Sequence, residues 1–114
     1  MIQATTSCHE GEAAERALPL MEQLGVDVLP VTNDNDRVTG VVTAEQLARA
    51  LRRATGAPRM RDVMSRAGFV VSPQSEPPEA LAGRIKQAAA SWAVVVDSTG
   101  RCVAVVDERP APAR

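Results

Sequence analysis

The chain has 114 residues, of which 45 % are hydrophobic, and this is enough for one small domain with an apolar core. Its 13 lysines and arginines are balanced by 14 acidic residues, so the charge excludes a binder of nucleic acid or of an anionic membrane. No apolar run reaches the ~20 residues that span a bilayer, and the start lacks a secretory pattern, so we expect a cytoplasmic protein.

The first predicted element is a helix over residues 12–24, where apolar side chains recur at helical spacing. Gly25 follows as a typical helix end. Pro19 lies inside the pattern and predicts a kink or a shorter helix.

A hairpin and a second helix follow. The β-branched runs 28–31 and 37–42 flank a cluster of turn-forming residues at 32–36, which predicts a hairpin. Residues 44–53 are predicted to form a helix that ends before the Thr-Gly-Ala-Pro segment at 55–58.

The second half repeats this order. A short strand around 69–71 precedes a helix in which Ser75 is the expected cap and the prolines at 77–78 suit the first turn. A further hairpin is predicted from residues 92–96 and 101–106.

The sequences of the two halves can be aligned, which predicts an internal duplication. Residues 5–31 align without a gap on residues 70–96, an offset of 65, and residues 37–43 align on 101–107, an offset of 64. Identities are few, but segment types follow in the same order, as expected for a duplicated structural unit.

Two segments together resemble the cystathionine-β-synthase-type (CBS) domain family: LPVTNDNDRVTGVVTAEQL at 29–47 and RMRDVMSRAGFVVSPQSEPPEAL at 59–81. The resemblance implies an α+β fold, a tandem pair of CBS domains (a Bateman module), each β-α-β-β-α, packed with pseudo-twofold symmetry. The second copy is expected to lack its closing helix, because Pro110 and Pro112 oppose one. The expected boundaries are 1–56 for the first copy, 57–68 for the linker and lead-in segment, 69–109 for the second copy and 110–114 for a tail.

The resemblance also implies a function. Such pairs are non-catalytic regulatory modules that sense adenosine-containing ligands, namely AMP, ADP, ATP or S-adenosylmethionine, and act on a partner protein. No cofactor is required, a homodimer is expected, and neither nucleic acid nor membrane is an expected partner. The alternative is a structural dimerisation or scaffold module whose ligand sites have decayed.

The family places a Ser or Thr, followed three residues later by Asp, against the phosphate and ribose of the ligand. Here Thr43 supplies the hydroxyl at a predicted helix start, but Gln46 stands at the Asp position. Thr-x-x-Gln is also a capping box, which needs no ligand. In the second copy, residues 107–110 read Asp-Glu-Arg-Pro, so we expect that site to be lost in its usual form.

The resemblance implies further site residues on the strands that flank the cleft. Gly40 belongs to this set, with close strand packing as its alternative role. Trp92 could stack on a purine, or it could be a core residue. The remaining members of the set are Asp27, Val28, Leu29, Pro30 and Ala93.

The sequence gives little support for a metal site or a catalytic nucleophile. Cys8 and His9 lack the additional ligands or orienting partners that zinc or nucleophilic chemistry needs, and the two thiols are interpreted as small hydrophobic residues. Residues 33–36 lack the glycine and glutamate of a calcium loop and are interpreted as a turn. We therefore expect no enzyme activity.

Overall fold

The chain forms two β-sheets covered by helices, in a computed structural model that describes residues 2–107. The first half contains β1 (Ile2–Ala4), β2 (Cys8–His9), α1 (Ala17–Leu24), β3 (Val28–Thr32), β4 (Val38–Thr43), α2 (Ala44–Arg53) and α3 (Met60–Val63). The second half contains β5 (Phe69–Pro73), α4 (Pro78–Ala88), β6 (Trp92–Val96) and β7 (Cys102–Asp107). No helix of this described part is long and apolar enough to cross a membrane.

Each half supplies the three strands of one β-α-β-β unit, and β1 of the first half joins the sheet of the second. The first sheet has the order β2-β3-β4, with β2 parallel to β3 and β3 antiparallel to β4. The second has the order β1-β7-β6-β5, and its β5-β6-β7 part repeats the same directions. The predicted α+β pair is therefore confirmed. The second copy is also expected to lack a closing helix. Most of the residues concerned, 108–114, lie outside the described residues, so this expectation stays a prediction.

The two halves exchange edge segments. β1 pairs antiparallel with β7 of the second sheet, with Gln3 opposite Val105. In the other direction, Ser65 of the linker bridges Val41 of β4, and the two residues exchange backbone hydrogen bonds of 2.9 and 2.8 Å. Each sheet is thus completed by a segment that lies outside its own β-α-β-β unit. The expected domain boundaries stay predictions.

The strand register corrects the repeat alignment. Val28 lies opposite Thr43, and Trp92 lies opposite Asp107, so both members of the pair are shifted by 64. The bulges after Val31 and Val95 and the left-handed helix caps at Gly25 and Ala89 follow the same shift. The offset of 65 predicted for residues 5–31 is therefore wrong by one, because few identities fix the alignment there while backbone geometry does.

Prolines lie at the starts of two helices, and the structure differs from the prediction only in the cap residue of α4. α1 begins only at Ala17, after a 3₁₀ turn, so Pro19 is its third residue, where no intrahelical N–H bond is lost. Of the two effects predicted for Pro19, the shorter helix is confirmed. In α4 the N-cap is Pro77 rather than Ser75, and Pro78 begins the helix.

Three clusters of buried side chains hold the layers together. The first lies between the helices of the first half and its sheet, and the third lies under α4 around Leu81 and Ile85. The second joins the two sheets, since Val28 and Val41 pack with Trp92 and Val105. The pseudo-twofold contact between the copies is therefore an apolar sheet-to-sheet contact, and the candidate site borders it.

Candidate functional site

Thr43 is the last residue of β4 and the N-cap of α2, and the predicted capping box is formed. Its Oγ1 accepts from the Gln46 N–H at 3.1 Å, and its own N–H donates to Gln46 Oε1 at 3.4 Å. The Ala44 N–H donates to the Asp27 carbonyl at 2.9 Å. Three backbone N–H groups at this helix start, those of Thr43, Ala44 and Gln46, are therefore hydrogen-bonded to the protein's own atoms. Within residues 2–107, the Glu45 N–H is the one donor of the first turn that has no such partner.

The Gln46 side chain is held at both ends. Besides the capping contact of its oxygen, its Nε2 donates to the Val63 carbonyl at 3.1 Å. A ribose hydroxyl at this position would have to share Gln46 Oε1 with the Thr43 N–H, which lies 3.4 Å away. Gln46 thus ties the start of α2 to the linker between the copies.

Two adjoining cavities open beside Thr43 and Trp92, which line both. The smaller has a volume of about 230 Å³ and includes linker residues on one wall. The larger has about 380 Å³, within the ~300–1,000 Å³ typical of small-molecule sites. The residues that line one or both are Asp27, Val41, Thr43, Ala44, Glu45, Gln46, Ser65, Ala67, Gly68, Ser91 and Trp92.

The wall is polar or acidic rather than basic. Asp27 and Glu45 contribute carboxylates, and the described lining residues include no lysine, arginine or histidine. Glu45 is paired with Arg49 at 3.1 Å, but the Glu45 side chain is 85 % exposed, so this pair is screened by water. The cleft therefore offers few features that attract a highly charged anion.

Trp92 is a core residue that also borders the cleft, and its stacking on a purine stays a prediction. It is only 6 % exposed and packs with Val28, Val41 and Val105 in the core between the sheets. It also borders both cavities. A planar ligand in the cleft would therefore meet a rigidly held indole.

Several predicted site residues lie elsewhere. Val28, Leu29, Pro30 and Ala93 are fully buried strand residues and line neither cavity. Gly40 is also absent from the lining of both cavities. A Cβ at this position would lie 2.8 Å from Met64 Sδ and from the Ser65 carbonyl oxygen, so Gly40 allows the linker to approach β4 closely.

Sequence reasoning missed the linker wall and Ser91. Ser65, Ala67 and Gly68 reach the site through the non-local pairing with β4, for which the sequence has no local signal. Ser91 could have been found, because an offset of 64 makes it the counterpart of Asp27. The second copy's counterpart of Thr43 is Asp107, and residues 108–110 lie outside the described residues.

The remaining candidate chemistry has structural explanations. His9 Nε2 lies 2.6 Å from Asp34 Oδ1, and its Nδ1 accepts from the Gly11 N–H at 2.9 Å, which fixes the loop after β2. Burial and a hydrogen bond to Glu12 raise the pKa of the Cys8 thiol to about 12, so Cys8 is a poor nucleophile.

The turn at 33–36 is organised by Asn33 Oδ1, which accepts from the N–H groups of Asn35 and Arg37 at 2.9 and 3.1 Å. Asp97 Oδ1 does the same in the second copy, with Thr99 and Arg101 at 2.9 and 3.0 Å. Among the described residues, no group of three or more His, Cys, Asp or Glu side chains is placed to hold a metal ion.

The fold and part of the sequence match known proteins. Residues 1–53 match the family model "CBS domain". A homoserine O-acetyltransferase of Methanococcoides burtonii is 27 % identical over 107 residues, which are 94 % of this chain and 21 % of that protein. The chain thus spans about a fifth of that relative's length.

Solved structures with the same fold include a hemolysin-like protein containing a CBS domain from Oenococcus oeni PSU. It has a TM-score of 0.72 and 18 % identity, covering 91 % of this chain and 76 % of that one. The CBS domain pair of protein MJ0100, in complex with 5′-methylthioadenosine and S-adenosyl-L-methionine, has a TM-score of 0.67 and 20 % identity, covering 92 % and 86 %. CBSX2 in complex with AMP has a TM-score of 0.63 and 23 % identity, covering 90 % and 80 %.

These matches agree with the duplicated β-α-β-β order and the sheet-to-sheet contact described above. Residues 1–53 thus match the CBS-domain family model, and residues 2–107 have the fold of the solved CBS-domain pairs.

Proposed function

We propose that this chain is a non-catalytic regulatory module of the cytoplasm that senses an adenosine-containing ligand and, as a homodimer, passes the signal to a partner protein. The observation that carries the proposal is the cleft in which Thr43, at a helix start, and Trp92, on the facing strand, line the same two cavities. Two structures of the same fold hold such ligands, 5′-methylthioadenosine with S-adenosyl-L-methionine in one and AMP in the other.

The ligand's contacts follow from the cleft's chemistry. The adenine would lie against Trp92, where a flat ring gains contact area and stacking. The ribose hydroxyls would face the Asp27 carboxylate, a charged acceptor that Gln46 does not provide. With three donors at the start of α2 already engaged, we expect S-adenosylmethionine or AMP to bind more tightly than ATP.

The linker gives the ligand a route to the partner. Ser65 and Gly68 line the smaller cavity, and the same linker is tied to α2 through Gln46 and Val63. A ligand that contacts both walls stabilises the relative position of the two copies to which it binds more tightly. The size of this effect equals the difference between its binding free energies for the two positions.

A panel of ligands tests the proposal. Thermal unfolding and calorimetric titration with AMP, ADP, ATP, S-adenosylmethionine and 5′-methylthioadenosine should show at least one saturable interaction, because a ligand that binds only the folded state raises the midpoint. Thr43→Val should weaken it. Thr39→Val is the matched control, since Thr39 lies in the same strand but lines neither cavity.

The second candidate function is a ligand-free dimerisation or scaffold module. The completed capping box and the anchored Gln46 favour it, because both satisfy the helix start without a ligand. The absence of binding by every member of the panel at millimolar concentration, together with a stable dimer in light scattering, would establish this alternative instead. A strict monomer at high concentration would contradict the homodimer in both cases.

A further inference from the structure

The start of α2 carries a negative charge of its own. Glu45 is the second residue of the helix and the acidic residue of its first turn, and it lines the larger cavity of the cleft. A carboxylate at this place interacts favourably with the positive end of the helix dipole. The protein therefore supplies the charge that a bound phosphate would otherwise supply there.

A second carboxylate lines the same cavity. Asp27 directly precedes β3, and its backbone carbonyl accepts from the Ala44 N–H at 2.9 Å, so Asp27 is tied to the same helix start. Arg49 pairs with Glu45, but its side chain is 52 % exposed and lines neither cavity. The charged side chains that residues 2–107 contribute to the larger cavity are thus two carboxylates.

The backbone donors of this helix start are also largely engaged. The N–H groups of Thr43, Ala44 and Gln46 are bonded to the protein's own atoms, and the remaining N–H belongs to Glu45, the residue that carries the carboxylate. A phosphate that leaves water needs several donors or a cation to replace its hydration. A thioether needs none, and an ammonium group would be stabilised by the carboxylates.

We propose that the cleft selects its ligand by charge: it prefers adenosine derivatives whose 5′ group is neutral or cationic over those with a 5′ phosphate. Asp27 and Glu45 are the specificity-determining residues. This inference rests on the proposed sensing function and adds the charge class of the ligand. Even at the dielectric constant of water, a unit charge about 6 Å from one carboxylate changes the affinity about threefold, so two carboxylates change it about tenfold.

Three ligands that share the adenosine body test the inference: 5′-amino-5′-deoxyadenosine, 5′-methylthioadenosine and AMP. At pH 7 their 5′ groups carry a positive charge, no charge and about two negative charges. In calorimetric titrations of the full chain at low salt, the amine should bind at least about a hundredfold more tightly than AMP, with the thioether between them. The difference should shrink as the salt concentration rises, because ions screen the carboxylates.

Two variants assign the effect to its residues. Glu45→Gln and Asp27→Asn each remove one carboxylate at nearly constant size, and each should lower the ratio of the amine and AMP affinities about tenfold. Glu79→Gln is the matched control, because Glu79 is the second residue of α4 and its first-turn acid but lines neither cavity. If Asp27→Asn does not fold, Glu45→Gln still decides, since the Glu45 side chain is 85 % exposed.

The outcomes separate this inference from the sensing function. Binding of AMP as tight as that of the amine would overturn the charge selection and leave the sensing function standing. The same selectivity in Glu45→Gln as in Glu79→Gln would overturn the assignment to the carboxylates. If none of the three ligands binds at millimolar concentration, the sensing function itself fails, and the charge selection fails with it.

Discussion

Replacing Gly40 by alanine should destabilise the protein through contact with the linker. The new Cβ would lie 2.8 Å from the Ser65 carbonyl oxygen and 2.8 Å from Met64 Sδ. The methionine side chain can rotate away at small cost, but the Ser65 carbonyl is backbone. It also accepts the 2.9 Å hydrogen bond from the Val41 N–H that holds the linker to β4.

The size of the effect follows from opposing contributions. A glycine-to-alanine change that fits its site stabilises by about 0.4–1 kcal/mol, because the unfolded chain loses freedom. Overpacking a close contact costs about 1–3 kcal/mol, and weakening the two hydrogen bonds between Val41 and Ser65 removes part of about 1 kcal/mol each. We therefore expect Gly40→Ala to lower the free energy of unfolding by about 2 kcal/mol.

Urea denaturation measures this change as a lower midpoint at unchanged slope. Gly83→Ala is the matched control: Gly83 lies inside α4, and a Cβ there would meet nothing within 4 Å, so this variant should gain about 0.5–1 kcal/mol. If Gly40→Ala proves as stable as the unmodified chain, the linker does not pack against β4 as described.

Three further predictions concern stability. Thr43→Ala should cost about 1 kcal/mol in urea denaturation by removing the cap of α2, whereas Thr43→Ser should keep most of it; equal losses would contradict the capping role. Ala89→Gly should raise the thermal midpoint, because Ala89 has φ 51° in the left-handed region, and a lower midpoint would refute this. Burial raises the pKa of Cys8 to about 12 and of Cys102 to about 11, from 9.0, so the unfolded chain ionises first. Stability should therefore be full below pH 9 and fall as pH rises through 9–12, and a chain with both thiols replaced by alanine should show a smaller fall.

Local signals in the sequence predicted the elements that carry their own start and stop residues. α2 was predicted at its observed bounds, because Thr43 and Gln46 form a capping box and the helix ends before Gly56 and Pro58. The hairpins followed from their turn residues, since Asn33 and Asp97 bond their own turns. The pairing of the two copies came from the order of these elements.

Features that depend on distant residues could not be predicted in this way. The exchange of β1, the 3₁₀ start ahead of α1 and the linker wall of the cleft arise from contacts across the chain. The full burial of Val28, Leu29 and Pro30 depends on packing across the fold, so it could not be predicted from the local sequence. The capping box of Thr43 and Gln46 is confirmed, whereas the ligand contact of Thr43 stays a prediction. The bond from Gln46 to the Val63 carbonyl joins distant residues and has no local signal in the sequence.

The pairing of β1 with β7 also has a consequence for the order of folding. Gln3 meets Val105 across almost the whole chain, whereas Val41 meets Ser65 within 24 residues. During synthesis the first sheet can close once the linker has left the ribosome, but the first strand must wait, with its backbone edge unpaired, until the last strand emerges. Pulse-labelled hydrogen exchange should find the β1 amides protected later than those of β3 and β4. β1 is thus made well before β7, the strand that secures it, and until β7 emerges its edge is open to pairing with another nascent chain.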